Sequence, residues 1–394
     1  MTYEEAQREV KEAVREMSDA ICQVSLDIHA HPETSLQEFY AADRLSGFLA
    51  DQGFAVERGI AGMATAFEGR KGAGGPVVAY LLEYDALPEI GHACGHNLIA
   101  AGGLAAGCAL ASLGSALPGQ VRVIGTPGEE KDGGKITELH AGVFNDVDAA
   151  LMFHPGAKTV MWRHATAVVE LTIQFHGVAA HAAGSPQEGR NALAAMIQFF
   201  VGVDGLRQHM PETARLHGII RHGGTAANVV PDFTEAEFLV RALTMDEVAR
   251  LAARVKDCAQ GAALAAGCTV TVHEAPMYSE RKNNHTLATR VGEYLAEQGI
   301  VPEEPVLKGG TGSSDIGNVS LVIPAIHPYL GVAPDGTPGH SHAMRDAAGS
   351  SEAQERMVKM GQAMALAGLD LLYDQQFLQT VQEEFRTSTP DFPI

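Results

Sequence analysis

The chain has 394 residues, which at roughly 150 per domain suggests two or three domains. It is 46% apolar and only 19% charged, too hydrophobic for a disordered chain and too poor in charge for a coiled coil. Its 28 Lys and Arg stand against 48 Asp and Glu, a formal net charge of −20 that makes nucleic acid and anionic membrane surfaces poor partners.

The first residues, MTYEEAQREVKEAVREM, are charged and read as an amphipathic helix, not as the apolar core of a secretory signal. No apolar run approaches the ~20 residues needed to cross a bilayer. Cys22, Cys94, Cys108, Cys258 and Cys268 are an odd, sparse set, which fits reduced thiols in a cytoplasmic protein better than a disulfide framework. All but Cys94 lie in apolar contexts suited to small core residues.

The apolar run 77–82 (VVAYLL) predicts a strand, followed by a helix over about 96–113. Further strands are predicted at 121–125 (VRVIG) and 149–153 (AALMF), with a helix near 134–142 between them. Fully apolar strands alternating with helices predict a parallel sheet buried on both faces. From about 165 the pattern changes. Residues 166–176 alternate like a half-exposed strand, then come a helix at 190–208, strands at 215–222 and 233–243, a helix at 246–266 and a strand at 268–274. That β-α-β-β-α-β order predicts an inserted ferredoxin-like layer. After about 277 the first pattern resumes, with a helix near 285–298, a strand at 320–326 and a closing helix at 351–373. The expected fold is therefore α/β: a mostly parallel-sheet domain from 1–164 and 277–394 with helices on both faces, and an α+β ferredoxin-like insert over 165–276.

Chemistry gathers where the early strands end. After 77–82 come Glu83 and Asp85, then Cys94 and His96; after 121–125 come Glu129 and Glu130; after 149–153 comes His154. In open parallel sheets ligands bind outside the carboxyl ends of the strands. Thiol, imidazole and carboxylate are also the side chains that hold zinc and similar metals. Each piece alone has a bland explanation: a chance Cys-x-His pair, a solvated Glu-Glu loop, a core histidine before proline. Their common edge is what argues for one site. Adjacent glutamates suit a division of labour in which one holds a metal and the other takes a proton from the water that the metal activates. Two other readings use the same residues: a hydrolase with Cys94 as nucleophile and His96 as base, and a non-catalytic metal- or peptide-binding protein. The first is awkward at i,i+2 spacing and leaves Glu130 and His154 unexplained.

The stretches LLEYDALPEIGHACGHNLIA, PGEEKDGGK, MFHPG, HGVAAHAAGSPQEGRNAL, GGTAANVVP, GSSDIGNVS and GHSHAMRDAAGS occur in this order between about His29 and Ser351. Together they resemble the dinuclear aminoacylase and carboxypeptidase G family of metallopeptidases. Within it they are most similar to the amidohydrolase branch that includes dipeptidases acting on β-alanyl-lysine. The resemblance implies that Cys94 bridges two metals, with His96 and His154 completing one and Glu130 and His340 the other. It implies Glu129 as general base and Asp85 as the carboxylate that orients a ligand. The chain departs from the carboxypeptidase pattern at Glu83, where a ligand histidine would stand. Spacing back from Ala347 to Ser350 favours His340 over His342. His181 would reach a partner subunit's site and stabilise the oxyanion. Asn228 and Arg241 would contact substrate, and Gly309, Gly310 and the run around Ser313 would pass along its backbone. His31-Pro32-Glu33 matches a family signature without evident chemistry, and His29, His31 and His327 read as structural. The resemblance further implies hydrolysis of N-acyl amino acids, aminobenzoyl-glutamate among them, or of dipeptides. It implies two divalent ions, zinc or manganese with cobalt possible, and a homodimer formed through the inserted lid domain.

Overall fold

The computed structural model describes residues 1–305 and 312–392. The chain divides into two compact units, Met1–His164 with Arg281–Ile394, and Ala165–Glu280.

Unit 1 contributes β1 (Ala55–Arg58), β2 (Phe67–Gly72), β3 (Val77–Leu82), β4 (Gln120–Gly125), β5 (Ala149–Leu151) and β6 (His154–Gly156). Unit 2 contributes β7 (Ala167–His176), β8 (Arg215–His222), β9 (Phe233–Ala242) and β10 (Thr269–Glu274), after which unit 1 resumes with β11 (Ala325–Ile326) and β12 (Tyr329–Gly331). The main sheet of unit 1 has the order β1-β2-β4-β3-β5-β11. β4, β3, β5 and β11 run parallel, and the β1–β2 hairpin adds two antiparallel strands at one edge.

Side chains of a strand alternate between faces, so a strand buried on both sides must be apolar throughout. β3 meets that requirement. Val78, Tyr80 and Leu82 join a core with the helices Tyr3–Ala30, His96–Ala111 and Ser351–Tyr373. Val77, Ala79 and Leu81 join another with Phe144, Leu139, Ile316 and Val319. The helix His96–Ala111 is buried along its whole length. Small residues let it press onto its neighbours: a Cβ at Gly107 would stand 2.3 Å from Val123, and one at Gly102 2.6 Å from the Phe153 ring.

Unit 2 has the strand order β10-β7-β9-β8, antiparallel throughout, with the helices Ala192–Arg207 and Met245–Ala266 packed on one face. In β9 the residues Thr234, Ala236, Phe238, Val240 and Ala242 are buried and alternate with half-exposed ones. This is the β-α-β-β-α-β insert that the sequence pattern predicts, with its elements shifted by a residue or two.

Three expectations need correction. The run 320–326 is not one strand: Ile316–Ser320 is a short helix, a turn follows, and only Ala325–Ile326 pairs with β5. Pro324, which has no N–H to offer a ladder, sits between the two, while its carbonyl accepts from Ala150 N at 2.9 Å. The strand at 149–153 stops at Leu151, and His154 opens a separate short strand, β6, paired in parallel with β12. The helix Ser351–Tyr373 does not close the chain, because Gln375–Thr387 forms another. Asp374 caps that helix by accepting from Gln376 N and Phe377 N, and Phe377, Leu378 and Val381 are buried. That cap and spacing were visible in the sequence.

Candidate metal centre

β3 runs out at Leu82 and delivers Glu83 and Asp85. Its neighbour β4 is tied to the same point, since Thr126 donates to Leu82 O from both its N (2.8 Å) and its Oγ1 (2.9 Å). The chain then turns through Gly128, at φ +74°, into Glu129 and Glu130. Gly95, at φ +79°, caps the helix that begins at His96, and a Cβ there would lie 2.7 Å from Pro155. Glycine therefore permits the close approach that brings the Cys94 turn against His154.

The side chains converge. His96 Nδ1 lies 2.9 Å from Asp85 Oδ1, while Asp85 Oδ2 accepts from Glu130 N at 3.0 Å. One carboxylate thus orients both the imidazole and the Glu-Glu turn, and it leaves His96 Nε2 directed into the site. That Nε2 stands 3.6 Å from Glu83, 3.8 Å from Glu130 and 4.0 Å from Glu129. His154 Nδ1 donates to Pro155 O at 2.6 Å, so its Nε2, 3.3 Å from Cys94 Sγ, is the free lone pair. His340 Nε2 is 3.6 Å from Glu130 Oε1. The left-handed backbone of His340, φ +53°, goes with a bond from its N to Ala93 O at 3.2 Å.

Two sets of ligand atoms, Cys94/His96/His154 and Cys94/Glu130/His340, each fit within 4.8 Å and share the Cys94 sulfur. A third set, Glu83/His96/Glu129, fits the same limit. Buried atoms Glu83 Oε2, His96 Nε2 and Glu130 Oε1 have no hydrogen-bond partner among the described residues. Buried acceptors turned toward one another without a donor are what a cation satisfies, so the donor set fits a metal. The titration directions agree. Burial, then the Glu83 and Glu130 charges, push Glu129 well above the usual carboxylate range; burial also raises Glu130. Burial and the Glu130 charge push the Cys94 thiol up. Burial and the His96 charge pull His154 down to about 3. Asp85 goes the other way: burial opposes it, but the His96 charge and hydrogen bond hold it low. Burial is the largest cause of the upward shifts, neighbouring carboxylates add to it at Glu129 and Cys94, and a divalent cation would oppose both.

Residues 164–266 match the peptidase dimerisation domain of the M20 family. The chain is 37% identical to the Xaa-Arg dipeptidase of Mus musculus, an alignment covering 96% of this chain and 92% of that one. It is 31% identical to one of the p-aminobenzoyl-glutamate hydrolase chains of Escherichia coli strain K12, covering 99% and 97%. The chain belongs to the M20 peptidase family.

The fold agrees. A dinuclear metal-binding M20 peptidase from Bacillus subtilis superposes with a TM-score of 0.66 at 22% identity, over 91% of this chain and 99% of that one. An aminobenzoyl-glutamate utilization protein from Klebsiella pneumoniae reaches 0.73 at 20% identity, over 93% and 99%. This M20 chain is a metal-dependent amide hydrolase.

Of the two histidines weighed from spacing, both exposed, His340 faces Glu130 and His342 has its Nδ1 3.1 Å from Arg345 Nη1. In unit 2, His181 is exposed, and its Nδ1 accepts from Ala183 N at 3.2 Å and Gly184 N at 2.9 Å. The adjoining Ala182 N bonds Asn228 O at 3.0 Å, which brings these two candidates together. Arg241 is half-buried on β9, opposite Val168 and Arg215. Gly309 and Gly310 lie outside the described residues.

Sequence reasoning in this M20 chain passed over three buried groups. Lys135 is fully buried, with Nζ 2.5 Å from Glu83 Oε1 and 2.8 Å from Asp315 Oδ1. Asp315 Oδ2 also accepts from Lys135 N at 3.0 Å. The HPE segment has a positional role after all. Glu33 accepts from Tyr40 N and Ala41 N, and its carbonyl from Ala86 N. Glu38, a few residues on, accepts from Leu36 N (2.9 Å), Gly128 N (3.0 Å) and Thr65 Oγ1 (2.9 Å). Burial, with the Asp85 charge, pushes Glu38 up to about 7. The segment therefore grips both the Asp85 loop and the Glu129-Glu130 turn.

Proposed function

We propose that this M20 chain hydrolyses the amide bond of N-acyl amino acids or dipeptides carrying a free carboxylate, with Glu129 as the general base. The observation that carries this reading is the pair of ligand triads that share Cys94 and include Glu130 but not Glu129. Cys94 would serve both metals, His96 and His154 one of them, and Glu130 and His340 the other. Two divalent ions, zinc or manganese with cobalt possible, would polarise the scissile carbonyl and acidify water. Asp85 holds the His96 Nδ1–H and so keeps the ring's Nε2 as the ligand atom. Glu129 takes the proton from water and returns it to the leaving amine nitrogen. Unit 1 is the catalytic domain in this reading, and unit 2 is the lid and the dimerisation domain that pairs two copies. His181, Asn228 and Arg241 are its candidate substrate contacts. A cytoplasmic location suits the unpaired thiols, and no helix among the described residues is long and apolar enough to cross a membrane.

The test pairs metal content with turnover. Wild-type protein should hold close to two ions per chain by plasma mass spectrometry, and Cys94→Ala clearly fewer. Glu129→Gln should keep its metal and lose roughly 10²–10⁴-fold in kcat, the span of general-base catalysis. Near wild-type turnover in folded Glu129→Gln would sink the mechanism.

A thiol-hydrolase reading has one observation in its favour, the 3.3 Å contact between Cys94 Sγ and His154 Nε2. A nucleophilic cysteine needs a lowered pKa, whereas burial raises this one. Chelation separates the two readings, because a thiol hydrolase would stay active without metal.

A further inference from the structure

Unit 1 holds buried polar groups that neither the ligand triads nor the fold employs, one of which, His327, is in ring contact with His154. Arg281 is 3% exposed, yet its Nε and Nη1 make no hydrogen bond, and it forms no ion pair among the described residues. His327, 1% exposed, and His164, 4% exposed, each have both ring nitrogens without a hydrogen-bond partner among the described residues. Three bonds draw their segments together: Asn283 Nδ2 to Arg163 O at 3.0 Å, Asn284 N to Ala325 O at 3.3 Å, and Lys282 N to Ser320 Oγ at 3.0 Å. The His327 ring meets the His154 ring edge-on at 5.4 Å, and Tyr329 lies 5.1 Å from His154 and 5.5 Å from His327. The Arg281 guanidinium lies within electrostatic reach of His327, His154 and His164. Asp391, which faces His164, is engaged by Asn283 Nδ2 at 3.0 Å and His285 Nε2 at 3.1 Å.

A buried guanidinium with open N–H groups is costly, and a fold keeps one where a ligand supplies the missing acceptors. The open groups here are the Nε and Nη1 of the guanidinium and the ring nitrogens of His327 and His164. They call for a negative charge spread over coplanar oxygens, which is a carboxylate. Mono-cationic ligands and bare amides would leave the guanidinium unpaired. We infer that Arg281, with His327 and His164, forms a carboxylate-binding subsite inside unit 1, beside the metal ligand His154. Resting on the amide-hydrolase reading, we assign it the free carboxylate of the substrate and so the preference for N-acyl amino acids over their amides.

The experiment compares an N-acyl amino acid with its carboxamide on metal-loaded, full-length wild type, Arg281→Met and Arg281→Lys. Arg281→Met should raise KM for the acid tenfold or more, leave kcat within about threefold, and leave the amide unchanged. Arg281→Lys should recover part of the loss, which a purely structural defect would not allow. Equal effects on acid and amide in both variants would overturn the subsite. Calorimetry with sodium acetate needs no turnover and keeps the question separate from the hydrolase reading. Acetate should bind wild type, compete with the acid substrate, and lose affinity in both variants. Binding without competition would keep the carboxylate subsite but assign it to a free anion. Equal acetate affinity in wild type and variants would refute it even if the wild type hydrolysed neither compound.

Discussion

Lys135→Met isolates what the ammonium does between Glu83 and Asp315. All three side chains are fully shielded from solvent. Removing the lysine leaves two buried carboxylates without their cation, and breaking such a buried pair costs about 3–5 kcal/mol. If unit 1 unfolds as one body, at roughly 2 cal/mol/K of unfolding entropy per residue, that loss lowers the melting temperature by about 5–9 °C. The measurement belongs on chelated protein, because bound metal adds its own stabilisation by mass action. The pH dependence has a definite sign. Burial already pushes Asp315 up to about 6 while Lys135 pulls it down, so the variant's carboxyl sits higher still. A folded pKa above the unfolded one means stability that is present at low pH and lost as pH rises through the folded value. The deficit of Lys135→Met should therefore be small near pH 5 and full by pH 8. Adding Asp315→Asn should recover part of it. A loss below about 1 kcal/mol at pH 8, the range of an exposed ion pair, would refute the reasoning. So would a deficit that grows toward acid.

Glu38→Ala frees Gly128 N, Leu36 N and Thr65 Oγ1 at once. At roughly 1.5–3 kcal/mol for each hydrogen bond to a charged group, it should cost several kcal/mol in urea titrations. It should also lower kcat more than metal content, because the Glu129-Glu130 turn loses its tether; unchanged kcat in folded Glu38→Ala would contradict that. His340→Ala should lose bound metal and His342→Ala should retain it, as read by plasma mass spectrometry. Equal retention in both would remove His340 from the ligand set.

What was legible in the sequence follows from where the information is local. The apolar strand at Val77–Leu82, the capped helices and the alternation in Phe233–Ala242 depend on residues a few positions apart, so they can be read along the chain. So can Cys94, His96, Glu129, Glu130 and His154, because each lies in the segment that follows a strand of the main sheet and the sheet itself brings strand ends together. The run 320–326 failed for a local reason as well: a continuous apolar stretch suits a buried strand or a buried helix equally, and Pro324 was the discriminating residue.

Lys135, Glu38 and Arg281 were illegible for a different reason. A lysine in a glycine-rich turn, a glutamate before a helix and an arginine between charged neighbours all look like solvated surface residues. Nothing nearby in sequence shows that Asp315 lies 180 positions from Lys135 yet 2.8 Å from its ammonium. These buried polar groups still fall into a pattern around the centre. Carboxylates and the lysine that balances them, Glu83, Asp315 and Lys135, adjoin the glutamate turn through His96. The unpartnered imidazole of His327 meets His154 edge-on, and Arg281 and the unpartnered imidazole of His164 belong to the same unit. The charge balance differs between the two: in the first an ammonium lies between two carboxylates, while in the second Arg281 has no ion-pair partner among the described residues. A hydrolase acting on a substrate with a free carboxylate would have that asymmetry, because the anion completing the second group arrives with the substrate.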